Sequence, residues 1–206
     1  MGRDLTVLAV DWGQLERTPP DERAELLYEA ACPDDHAVQA AQPDVGWVFP
    51  ASPQVPWCGR YEFQDTLGSY KPHFWAAESW DTVRQYADPA LREPLDGFLA
   101  GLIRWGADPE AADDDLEPGL FPADPEPWRP PTSTLVCPPA SLPALTVHWA
   151  LAEPLLGELR EIYDSRAARP GRWIAGFDEF ADLMRQWAFV VGEAEQRGWG
   201  LLGLPV

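Results

Sequence analysis

Three features of this chain predict an α+β fold. An apolar, β-branched run stands at Leu5–Val10, a second apolar segment closes the chain at Trp199–Leu204, and helical periodicity dominates between them. The length of 206 residues suits one domain, 1–206, and a hydrophobic share of 46% is enough to build a full core without disulfide or metal staples. The expected architecture is a small sheet that includes the N- and C-terminal strands, several amphipathic helices and long Pro-rich loops.

LTVLAV (Leu5–Val10) is apolar at successive positions, so both faces of its strand should be covered. Thr18-Pro19-Pro20-Asp21 reads as a helix start. Thr18 supplies a cap, proline sits where a missing N–H costs nothing, and Asp21 and Glu22 suit the positive helix end. That helix should reach about Ala31 with Ala24, Leu27 and Tyr28 inward, and Cys32-Pro33 stops it. From 33 to 69 the prolines at 43, 50, 53 and 56 forbid a long helix. The expectation there is a Pro/Trp-rich loop region with one short strand at Val45–Phe49.

Ser79 is the expected cap of a helix over Trp80–Ala87. Asp88-Pro89 starts another, with Leu95, Phe98, Leu99, Leu102 and Ile103 on one face and an end at Gly106. The stretch 107–131 holds Asp113-Asp114-Asp115 and seven prolines, which excludes helix and central strand and leaves an acidic surface loop. Thr134–Cys137 reads as a short strand, and Leu142–Leu151 and the segment from Glu153-Pro154 to Tyr163 as helices. Phe177–Arg197 carries the most regular stripe: Phe180, Leu183, Met184, Trp187, Val190 and Val191, with acids at its start and Gly198 placed as a left-handed cap. Trp199–Leu204 then forms a strand that can pair with the opening one.

These outlines resemble the YfbM-like family of uncharacterised bacterial proteins. The resemblance is carried by Met1-Gly2 leading into LTVLAV with a short helix after it, and by FDEFADLMRQWAFVVGEAEQRGWGLLGLPV (Phe177–Val206). LPALTVHWALAEPLLGELREIY (Leu142–Tyr163) fits more loosely, and the Pro-rich stretches at 43–56 and 107–131 depart from the pattern. The resemblance covers about half the chain and implies an α+β fold, with no activity or catalytic residue to carry over.

Composition narrows the function classes. Thirty-four acidic residues face fifteen basic ones, for a formal net charge of −19. A surface of that sign opposes nucleic acid and anionic membranes, since affinity for both comes chiefly from neutralising phosphates. Lys71 is the sole lysine and asparagine is absent, a bias that points to a GC-rich bacterial genome. The run before Asp11 is too short for a signal peptide and no stretch reaches spanning length, so a cytoplasmic protein without membrane contact is expected.

Motifs of catalysis are missing: no G-x-S-x-G, no Walker or G-x-G-x-x-G spacing, no C-x-x-C. Cys32/His36, Cys58/His73 and Cys137/His148 are the cysteine–histidine pairs that a metal or a nucleophilic dyad would need. Their irregular spacing favours isolated core thiols instead, so no metal, cofactor or catalytic residue is assigned. Acidic pairs such as Glu158/Glu161 and Asp178/Asp182 have the spacing of solvated helix faces.

One block stands out. Between Trp57 and Tyr86 lie eight large aromatic residues, interleaved with Arg60, Lys71, His73 and Arg84. Such residues stack as core, and they also wall pockets and interaction surfaces. Trp57, Arg60, Tyr61, Lys71, His73 and Trp75 are therefore the candidate ligand- or partner-binding set. The function expected first is a non-enzymatic binding module for a basic protein partner. The alternative is a small-molecule enzyme or ligand sensor with its pocket in residues 57–86.

Overall fold

The structure, a computed structural model, describes residues 5–32, 46–100, 102–103, 120 and 135–205. Its organising element is an open, antiparallel, five-stranded sheet with the strand order β2-β3-β1-β5-β4. The strands are β1 (Leu5–Val10), β2 (Gly46–Val48), β3 (Cys58–Glu62), β4 (Leu135–Cys137) and β5 (Gly200–Pro205). β1 lies in the middle, with Val7 opposite Tyr61 of β3 on one side and Gly203 of β5 on the other. The α+β class and the pairing of the first strand with the last are as the sequence predicts.

Each face of the sheet is covered, which explains why β1 is apolar throughout: Val7, Leu8, Ala9 and Val10 are all fully buried. Leu8, Val10, Cys58, Leu202 and Leu204 face α1 (Trp12–Arg17) and α2 (Pro20–Ala31), through Trp12, Leu15, Leu27 and Ala30. Val7, Ala9, Tyr61, Cys137 and Leu201 face the larger core, built by α3 (Lys71–Val83), α4 (Pro89–Ala100), α5 (Leu142–Ala152), α6 (Arg160–Arg166) and α7 (Phe177–Arg197). α7 spans the residues its stripe predicts, and Gly198 closes it at φ 67°.

Several expectations need correction. α1 precedes the helix expected from Thr18 onward, and Thr18 ends it, donating its hydroxyl to Gln14 O at 3.0 Å; Pro19 is the residue that precedes α2. Tyr28 points outward, and Arg23 takes an inward position instead. Within 33–69, β2 falls where the one short strand is expected, but β3 is a second strand there and pairs on both edges. α3 starts at Lys71, so Ser79 is buried in mid-helix and caps nothing. Residues 153–159 form a 3-10 helix ahead of α6. Residues 33–45, the end near Gly106 and the acidic loop at 107–131, save Leu120, lie outside the described residues.

Candidate binding surface

The six side chains singled out in the aromatic segment occupy different environments. Strand alternation sends Arg60 and Tyr61 to opposite faces of the sheet. Arg60 is buried on the α2 side, where it donates to Ala31 O at 3.1 Å and pairs with Glu62 at 2.8 Å. Trp57 is half-buried on that same side. Tyr61 and His73 belong to the larger core. Lys71 is exposed at the first position of α3, and Trp75 is half-buried with the Arg172 guanidinium 4.0 Å over its ring. These residues do not form one constellation.

What the aromatics form instead is a chain of rings through the core. Trp47 meets Tyr61 at 5.1 Å, Tyr61 meets Phe63 at 4.8 Å, and Phe63 contacts His73 at 4.9 Å and Trp187 at 4.8 Å. Most of these contacts are edge-on, the arrangement ring quadrupoles favour. Burial pushes the His73 imidazole down to about 3, so it is neutral at physiological pH. Burial likewise pushes the Cys58 and Cys137 thiols up to about 12, far from the thiolate a nucleophile or metal ligand requires.

The structure also places the three cysteines and two of the three histidines. Cys58 and His73 lie on opposite sides of the sheet, and His148 on α5 packs its ring against Gly97 of α4. His36 falls outside the described residues. Among the described residues no group of three histidine, cysteine or acidic side chains is placed to hold a metal ion. No helix among them is long and apolar enough to cross a membrane.

The charge distribution is more informative. Many arginines are engaged internally. Arg84 grips Asp96 at 2.6 Å, Arg160 pairs with Asp178 and Arg185 with Asp182, while Arg166 lies over Tyr86 and Arg197 over Phe49. The Arg160 guanidinium holds the Asp178 carboxyl below the usual carboxylate range. On α2 the arrangement is one-sided. Its only cation, Arg23, is buried and donates to three carbonyl oxygens: Thr18 at 2.8 Å, Glu16 at 2.9 Å and Leu120 at 2.8 Å. Asp21, Glu22 and Glu25 stay exposed, so α2 offers solvent carboxylates and no cation of its own.

In the sequence Asp21 and Glu22 read as compensation of the helix dipole rather than as part of a surface. The signal was PDERAELLYEAA itself, with four acids and one base. Nothing in that string shows the base turning inward, because its carbonyl partners come from the end of α1 and from residue 120. No family model matches this chain, and no curated protein or solved structure is significantly similar to it.

Proposed function

We propose that this is a non-enzymatic binding protein of the bacterial cytoplasm whose acidic exterior, centred on α2, engages a basic protein partner. One observation carries the reading: Arg23 is buried on backbone carbonyls while Asp21, Glu22 and Glu25 are exposed. A helix face of one sign on a chain of net charge −19 steers a cationic partner into place, raises the encounter rate and rejects anionic competitors. The kinship with YfbM-like proteins suggested by β1 and the α7–β5 unit belongs to the same proposal and supplies no competing activity.

The test is capture of partners by immobilised protein at low and high salt, alongside a Glu22→Lys/Glu25→Lys double variant. Basic proteins should be retained at low salt and released as salt rises, with capture by the charge-reversed variant reduced by at least about tenfold. Capture insensitive to both salt and charge reversal, or no capture of basic proteins at all, would overturn the reading. Circular dichroism on the variant separates loss of the surface from loss of fold.

A further inference from the structure

A second surface lies in the other helical layer, where the turn Tyr86-Ala87-Asp88 and the start of α4 meet the 3-10 segment and α6. They enclose an open cleft of about 290 Å³. Its floor is apolar: Ala87, Leu91 and Leu159 are buried members of the larger core, and Ile162 packs against it. Its rim is not. Asp88 and Glu158 place two exposed carboxylates there, and Tyr86, 44% exposed, adds an aromatic ring.

The two acids differ in what already occupies them. Asp88 accepts the Ala90 N–H at 2.8 Å and so answers the half-positive start of α4. Glu158 has no such task and supplies the uncommitted negative charge. Arg166 lies 3.8 Å over the Tyr86 ring, and no arginine, lysine or histidine is among the residues that line the cleft. An anion meets the rim carboxylates and a chain of net negative charge. A purely apolar ligand fills the floor but strips water from the carboxylates without replacing it.

We propose that this cleft binds an amphipathic organic cation: an ammonium or guanidinium group held at Glu158 and Asp88, on an apolar stem lying over Leu91, Leu159 and Ile162. The floor is set by core residues on packed helices, so the site exists before the ligand arrives, which lowers the ordering cost of binding. The cation can come from a lysine or arginine side chain of a protein or from a free amine. Neither source involves α2, so this site stands or falls independently of the charge-reversal result above.

The experiment is titration of the isotope-labelled protein with hexylammonium, following the methyl resonances of Leu91, Leu159 and Ile162, with hexanol and hexanoate as controls. Saturable shifts with hexylammonium and binding at least about tenfold weaker for both controls are expected. The Asp88→Asn/Glu158→Gln variant keeps the helix cap, since asparagine caps as well as aspartate, and should lose hexylammonium affinity by at least about tenfold. Equal binding of hexanol, undiminished binding by the double variant, or no saturable shift overturns the proposal. Nα-acetyl-lysine amide distinguishes the sources. Binding as tight as hexylammonium identifies a protein side chain as the natural occupant, and markedly weaker binding identifies a free amine.

Discussion

The indole N–H of Trp187 donates to Nδ1 of His73 across 3.1 Å, tying α7 to α3 through a bond buried from solvent. The acceptor role requires the imidazole to be neutral, and its burial enforces that state, holding the group at about 3 against an ordinary 6.5. In the unfolded chain the same imidazole takes up a proton once pH falls below about 6.5. Between those values the unfolded state binds more protons, so stability is complete above about 6.5 and declines as pH falls toward 3. Urea melts at pH 7.5 and 4.5 should show this loss in the wild type, with His73 supplying about 2–3 kcal/mol of it. In His73→Gln that part should vanish, leaving only the carboxylate contribution. Equal pH dependence in both proteins would refute the assignment.

Thiol chemistry should divide the three cysteines. Cys32 is exposed at the end of α2, whereas Cys58 and Cys137 are buried on the two sides of the sheet with thiols pushed up to about 12. An aromatic disulfide reagent should therefore modify one thiol rapidly in the folded protein and the other two only on unfolding. Cys32→Ser should abolish the fast phase. Rapid reaction of two or three thiols would mean that the sheet opens far more readily than its burial implies.

Gly200 and Gly97 both sit at close approaches, against neighbours of different kinds. A Cβ on Gly200 would lie 2.3 Å from the Trp12 ring and 2.8 Å from the Cys137 carbonyl oxygen, and neither neighbour can retreat. A Cβ on Gly97 would lie 2.6 Å from the ring of His148, a half-buried side chain and so a less confined neighbour than the buried Trp12 or the Cys137 backbone. Gly97→Ala should thus cost about 1–3 kcal/mol, the range for overpacking, and Gly200→Ala should cost more. Denaturation midpoints of the two variants check the order, and a reversed order would mean that the α4–α5 crossing is the more rigid contact.

Arg23 acts as a clamp. Its planar fork reaches the carbonyls of Glu16, Thr18 and Leu120 at once, and a lysine ammonium cannot match that geometry. Arg23→Lys should destabilise the protein by about 2–4 kcal/mol, since at least one buried carbonyl is left without its donor. A melt within 0.5 kcal/mol of wild type, roughly the scatter of surface substitutions, would contradict the clamp.

The sequence was most legible where one physical signal stood alone. α7 has a continuous apolar stripe, acids at its start and glycine at its end, and it folds over the residues so marked. β1 carries its double-sided burial in an unbroken apolar run. β3 was hidden because CGRYE contains a glycine and two charges. Those charges fit only because Arg60 finds Ala31 O and Glu62 across the sheet's covered face. The first turns of α3 were hidden by Lys71-Pro72 and three successive aromatics, which resemble the preceding loop. For the candidate surface, the count of acids on α2 was readable. The inward turn of Arg23 was not, because its partners are set by tertiary packing.

The central position of β1 has a consequence for biosynthesis. Its two neighbours are β3 and β5, and β5 lies nearly two hundred residues downstream in the chain. While translation proceeds, the β5-side edge of β1 waits with its backbone groups unanswered, and the apolar residues of β1 lack half their cover. Contacts between such distant segments also make for slow ring closure and a high contact order. The nascent polypeptide therefore cannot reach its native topology until the last strand has cleared the ribosomal tunnel.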